Sequence, residues 1–208
     1  MALLHQATVT PSKLELVRDW LPTQPWYRGP AADLSPVAAY RFDDPEGEVG
    51  IETILTAASD GAVLQVPVTY RGAPLEGGEP WLIGTMEHSV LGARWVYDGL
   101  GDPAYLAAVA TAVRTGGRQA DLLIEIDGEM VTREPTAVVK GSGSPAGEPV
   151  QPPTDVTTVH EGGATVAMAD GLRVTVLRYP GSGESTDGDV LTGRWAGQAE
   201  TVLVRLGK

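Results

Sequence analysis

The chain contains no cysteine. That excludes a disulfide framework, a thiolate nucleophile and any cysteine-based zinc or iron–sulfur site. Positive charge is scarce as well. Fifteen Lys and Arg face 27 Asp and Glu, for a net charge of −12. Such a surface repels phosphate backbones and anionic headgroups, so neither nucleic acid nor a membrane surface is expected as a partner. No apolar run approaches the ~20 residues that cross a bilayer. Residues Met1–Thr10 lack a basic patch followed by a long apolar stretch, so no signal peptide is expected. The expected location is the cytoplasm. Lys13, Lys140 and Lys208 are the only lysines. With abundant Ala, Gly and Val, this points to GC-rich coding and carries no functional signal.

What is present suffices for a real core. The chain has 208 residues, 42% of them hydrophobic, enough for one or two domains. A first helix is expected after Thr10 as N-cap and Pro11, with Leu14, Val17, Trp20 and Leu21 on one face, ending at Pro22. A proline-fixed aromatic stretch follows, Trp20 to Gly29. Val49–Thr56 and Val63–Tyr70 read as strands joined by an Asp60-Gly61 hairpin signal, with Pro67 marking an edge or a bulge. Trp81–Glu87 and Ala93–Tyr97 read as two more strands. A second helix has every boundary signal: Asp102 caps it, Pro103 starts it, Leu106, Val109, Ala110 and Val113 form its stripe, and Gly116-Gly117 ends it.

Beyond Arg118 only strands are expected: Asp121–Asp127, Met130–Arg133 with Gly128 in the turn between them, Thr136–Lys140, Val156–His160, Ala164–Ala169, Leu172–Tyr179, Val190–Trp195 and Glu200–Leu206. Asp170-Gly171 is a second hairpin signal. Gly141–Pro153 reads as a flexible linker and Pro180–Asp189 as a polar loop. The expected fold class is therefore α+β. A curved antiparallel sheet with two helices fills residues 1–118, and an all-β antiparallel half fills residues 119–208.

Chemistry-bearing motifs are few. The glycine run Gly141 to Gly147 lacks the following helix that a dinucleotide loop requires. There is no phosphate-binding P-loop. His5, His88 and His160 show no metal-ligand spacing. Glu87-His88-Ser89 is adjacent in sequence, which does not make a triad. Asp43, Asp44, Glu46 and Glu48 read as turn chemistry rather than an acid–base pair. No catalytic residue, metal site or cofactor is expected. Five Trp and six Tyr against a single Phe form the one compositional bias. Such rings stack on sugars and anchor interfaces.

Trp20-Leu21-Pro22 with Trp26-Tyr27-Arg28-Gly29, and then Val90-Leu91-Gly92 with Trp95-Val96-Tyr97-Asp98-Gly99-Leu100-Gly101-Asp102-Pro103, resemble the N-terminal cap of actinobacterial maltokinases and related aminosugar kinases. The resemblance implies a curved antiparallel sheet with helices that packs on a kinase N-lobe. Glu161-Gly162-Gly163 and the hairpin through Asp170-Gly171 resemble the first hairpin of that N-lobe. Thr175 then stands where a phosphate-contacting lysine is expected, and a neutral hydroxyl cannot replace that charge. No catalytic-loop or metal-binding aspartate segment of that family is present.

Three functional readings are compatible with these features. The first is a free-standing, non-catalytic cap-like module whose partner is a protein, such as a kinase or an α-glucan or trehalose-pathway enzyme, with Trp20, Trp26 and Tyr27 as surface anchors. The second is a carbohydrate or sugar-phosphate binder, with Trp81, His88, Arg94, Trp95 and Tyr97 lining the site. An enzyme with an unfamiliar site ranks last. Homodimerisation through the Pro67 strand or through Glu200–Leu206 stands as a further expectation.

Overall fold

The computed structural model describes residues 2–4, 7–29, 34–126, 129–181 and 187–207. His5, the turn residue Gly128 and residues 182–186 of the polar loop lie outside that set. In chain order the strands of the first half are β1 (Ala2–Leu4), β2 (Val9–Thr10), β3 (Ser35–Phe42), β4 (Gly50–Ala57), β5 (Val63–Arg71), β6 (Leu82–His88) and β7 (Gly92–Asp98). Helix α1 (Lys13–Trp20) follows β2, and α2 (Pro103–Thr115) follows β7. The second half holds β8 (Leu122–Ile126), β9 (Glu129–Arg133), β10 (Ala137–Gly141), β11 (Thr157–Glu161), β12 (Ala164–Ala169), β13 (Leu172–Leu177), β14 (Val190–Trp195) and β15 (Gln198–Gly207). The α+β expectation holds.

Strands β2-β6-β7-β5-β4-β3 form one antiparallel sheet in that order, and β10-β14-β15-β13-β12-β11 a second. A third, small sheet runs β1-β8-β9, in which β1 pairs parallel to β8. Side chains alternate across the first sheet. On one face, Ile54, Leu64, Val66, Val68, Met86 and Val96 cluster with Val17, Trp20, Leu21 and Trp26. On the other, Tyr40, Phe42, Ile51 and Leu55 join Tyr105, Leu106, Val109 and Val113 of α2. The same cluster continues into Val139, Val174, Val176, Leu191, Trp195, Leu203 and Val204 of the second sheet. One apolar cluster thus spans residues from both halves of the chain.

Several local expectations change. Helix α1 is capped by Ser12 rather than Thr10. The Ser12 hydroxyl accepts the Glu15 N–H while the Glu15 carboxylate accepts the Ser12 N–H at 2.8 Å, a capping box that outcompetes the upstream threonine. Helix α2 starts and stops where the sequence indicates, with Asp102 as cap and Gly116 left-handed at φ 66. Asp170 and Gly171 form the two-residue turn of the β12–β13 hairpin, both with positive φ.

Pro67 is not on an edge strand, because β5 pairs with β4 on one side and β7 on the other. The sheet tolerates it through a gap. Strand β7 pairs only with Val68 to Arg71, and two residues before Pro67 the Gln65 N–H donates to the Arg178 carbonyl. Residues i and i+2 point their N–H groups to the same side, so Pro67 falls between those two partners, where no donor is required. Strand β15 is likewise interior, between β14 and β13. Neither strand named for dimerisation is an edge strand of its sheet.

The glycine-rich segment is not a loose linker. The N–H groups of Gly143 and Ser144 donate to the carbonyls of Val113 and Arg114 at 2.8 and 3.1 Å, and the Val150 N–H donates to the Thr111 hydroxyl at 2.8 Å. The first two bonds satisfy carbonyls that the end of α2 leaves unpaired. The approach requires glycine. A Cβ on Gly141 would lie 1.9 Å from the Ala112 oxygen, and one on Gly143 1.9 Å from the Arg114 oxygen.

A candidate functional site at the junction of the two sheets

Asp98 ends β7, and Arg178 follows β13; the two meet between the sheets. Arg178 is fully buried, and its Nη2 donates a short hydrogen bond to Asp98 Oδ2. Its Nε donates to the Thr165 hydroxyl at 2.9 Å. The guanidinium carbon lies 4.5 Å from the centre of the Trp26 ring, within cation–π range. Its remaining Nη1 has no hydrogen-bond partner among the described residues. Burying both charges costs several kcal/mol per ion, which only close pairing offsets. The second Asp98 oxygen accepts the Leu100 N–H at 3.3 Å.

Asp98 of this pair lines a cleft of about 350 Å³ together with Trp20, Gln24, Trp81, His160 and Thr165, among others, and Arg178 lies buried behind it. His160 Nδ1 lies 3.1 Å from the Thr165 hydroxyl. Burial and then the Arg178 charge hold its imidazole below the ordinary histidine range, against an opposing pull from Asp98. Trp81 is fixed by an indole N–H bond to Thr158 at 3.1 Å. It sits close over Gly101, where a Cβ would fall 2.1 Å from the indole ring. The cleft therefore offers two indoles, three threonine side chains, an amide and an imidazole beside a carboxylate.

Gln65 makes a second polar link between the sheets. Its amide nitrogen donates to the carbonyls of Leu177 and Leu203 at 3.0 and 2.9 Å, and its oxygen accepts the Tyr40 hydroxyl at 3.3 Å. Asp102 makes a third contact network within the first half. It accepts both Arg71 nitrogens at 2.7 Å, the Thr69 hydroxyl at 2.7 Å and the Ala104 N–H at 3.0 Å. It thus fixes the start of α2 to β5.

Residues 20–102 match the family model described as the maltokinase N-terminal cap domain. The chain carries a cap-like domain. No curated protein matches the chain. The cap match begins at Trp20 on the cleft wall and ends at Asp102, so it contains Trp20, Gln24, Trp81 and Asp98 but not Thr165, His160 or Arg178. The cleft is built jointly by the cap and by the C-terminal half of the chain.

The residues named from sequence distribute unevenly. Trp20 and Trp26 point into the core, with exposures of 8% and 1%. They stack edge-to-face at 6.0 Å, and Trp26 also meets Tyr27 and Tyr179, each at 6.3 Å. Their apolar area is already spent on the fold, so they are not presented as surface anchors; Tyr27 is half-buried beside them. Of the second set, Trp81 lines the junction cleft. His88 and Arg94 line a different cavity, at the α1 side of the first sheet. Trp95 and Tyr97 point to the opposite face from Arg94, and the Tyr97 hydroxyl accepts the Leu75 N–H at 2.9 Å. The five do not converge. Sequence reading missed Arg178 and Thr165, which are far from the cap motifs and carry no local signal. Asp98 was within reach, because it stands inside the Trp95–Pro103 segment. Among the described residues, no three His, Asp or Glu side chains group to hold a metal ion, and no helix is long and apolar enough to cross a membrane.

Proposed function

We propose that this protein is a non-catalytic cap module that works beside a separate catalytic chain, a kinase or an α-glucan or trehalose-pathway enzyme. The observation that carries the reading is the cap match over residues 20–102. Two features agree with it. The β12–β13 hairpin, which resembles a kinase N-lobe hairpin, has Thr175 where a phosphate-gripping lysine is expected. The β6–β7 hairpin presents Val90 and Leu91 at 56% and 46% exposure, large apolar side chains at a tip that the fold itself does not cover. These two, rather than Trp20 and Trp26, are the contact residues to test. The protein is co-expressed with each candidate enzyme and the mixture resolved by size-exclusion chromatography with light scattering. A one-to-one complex that V90E/L91E dissociates is the expected result. Monomer at micromolar concentration with every candidate overturns it.

A second reading, a carbohydrate or sugar-phosphate ligand in the junction cleft, is favoured by the convergence of Trp20, Trp81, Gln24, His160 and Asp98 around one cavity. Thermal shift with maltose, glucosamine, trehalose and their phosphates tests it. No shift at millimolar ligand removes it.

A further inference from the structure

The α1 face of the first sheet is covered by α1 at one end only. At the other end it opens into a cavity of about 510 Å³ whose walls include Lys13, Arg41, Tyr70, His88 and Arg94. Arg41 stands directly across from Glu52 on the neighbouring strand, and Arg94 across from Met86. Cross-strand partners share a face. The register therefore places Arg41, Glu52, Tyr70 and Arg94 on the same side of the sheet.

Three cations, Lys13, Arg41 and Arg94, and three carboxylates, Asp43, Asp44 and Glu48, line this cavity. Glu52 is buried, and its Oε2 accepts both Lys13 Nζ at 2.5 Å and the Tyr70 hydroxyl at 2.9 Å. The guanidinium groups of Arg41 and Arg94 make no hydrogen bond or ion pair among the described residues. The Nε–H of Arg41 is buried with no acceptor among the described residues. A buried, unsatisfied donor on a cation costs more than a neutral one. Three carboxylates line the rim. Asp44 is occupied by the N–H groups of Glu46, Glu48 and Val49 at 2.9 to 3.2 Å. Asp43 has an interaction of its own, and Glu48 is exposed and approaches neither guanidinium within ion-pair distance. Arg41 acts on Glu52 through its charge, but neither Arg41 nor Arg94 has a direct side-chain hydrogen bond or ion pair among the described residues.

We propose that this cavity is a binding site for a multiply charged oxyanion, a phosphate or polycarboxylate group held by the guanidinium groups of Arg41 and Arg94. Planar guanidinium forks match such oxygens two at a time, and the ligand supplies the acceptor that Arg41 Nε lacks. Tyr70 and Lys13, both anchored on Glu52, form the fixed wall beside it. The site is separate from the junction cleft, and its wall includes Leu91, one of the hairpin-tip residues proposed above as a partner contact.

Isothermal titration of the full chain with inorganic phosphate, pyrophosphate and citrate tests this. Saturable one-to-one binding of at least one anion is expected, weakened about tenfold or more by R94Q and by R41Q, as loss of a charge-assisted fork requires. R94K keeps the charge but loses the fork, and is expected to fall between wild type and R94Q. R133Q, on exposed β9, leaves binding unchanged. Circular dichroism and melting temperature check that each variant is folded, and R94Q with R94K carries the test if R41Q is not. No saturable binding to any of the three anions overturns the proposal. So does binding that survives R94Q, or binding that R133Q weakens as much as R94Q does.

Discussion

Replacing Gly143 by alanine attacks the strap that closes the end of α2. The added Cβ would lie 1.9 Å from the Arg114 oxygen, 2.3 Å from its carbon and 2.6 Å from the Val113 oxygen. All three are backbone atoms of the helix end, so no side-chain rotation relieves the overlap. The strap must lift. Lifting it breaks the bonds from Gly143 and Ser144 to Val113 and Arg114. Each net hydrogen bond contributes about 1 kcal/mol, and overpacking costs typically about another 1–3 kcal/mol. A loss of about 3–5 kcal/mol is expected for the two bonds and the overpacking together, equivalent to roughly 6–20 °C in melting temperature for a chain of this size. Urea unfolding followed by circular dichroism measures it, with E148A, on an exposed position of the same strap, as the control. A G143A midpoint within about 0.5 kcal/mol of wild type, inside the range of ordinary surface substitutions, would refute the docked strap and restore the flexible-linker reading.

Three other perturbations have defined outcomes. D98N leaves the Arg178 charge buried without its counter-ion, and should cost about 3–5 kcal/mol in denaturant unfolding; a loss below about 1 kcal/mol would mean that solvent reaches the pair. G101A removes the seat of the Trp81 indole and should shift the tryptophan emission spectrum; W81F should abolish that difference, and an unchanged G101A spectrum counts against the Trp81 placement. His160 has its folded-state value pushed down, so the unfolded chain takes up its proton first. Stability is therefore lost as pH falls below 6.5, the ordinary histidine value, and H160Q should flatten the pH–stability curve there, while an identical slope in the variant excludes His160 as the source. Glu52, whose carboxyl burial would raise but Lys13 and Arg41 bring down on balance, adds a separate loss at more acid pH.

The sequence announced those elements whose signals are local. Helix α2 has a cap, a proline and a terminal glycine within its own span, and Asp170-Gly171 can only turn. The strands between Val49 and Tyr97 show β-branched runs that need no knowledge of their neighbours. Other features are settled by distant partners. Strand β1 exists by pairing with Leu122–Ile124, more than a hundred residues away. Strand β3 does alternate, with Ala38, Tyr40 and Phe42 inward, but its Ala-Ala pair and Arg41 dilute the pattern. The glycines at 141, 143 and 147 look like flexibility because sequence shows their freedom and not the helix end they approach. Pro67 was a sound warning of a missing donor, but the gap that accommodates it comes from Arg178.

Arg178 links the structural observations. Its backbone carbonyl takes the Gln65 N–H, its guanidinium takes Asp98 and Thr165, and its face lies over Trp26, which packs in turn against Trp20 and Tyr179. Asp98 and the two indoles all lie within the cap match, whereas Arg178 and Thr165 lie beyond it. Without Arg178, Asp98 would be a buried carboxylate facing no cation, which a folded protein avoids by taking up a proton or by opening the site to water. The cap-like segment of this chain is thus electrostatically completed by its own C-terminal half. Gln65 repeats the arrangement with neutral groups, and the α2 core cluster repeats it with apolar ones. Three independent classes of interaction cross the same junction. Any movement that opened the junction cleft would have to break all three together, so the cleft between Trp81 and His160 is expected to hold its shape rather than act as a hinge.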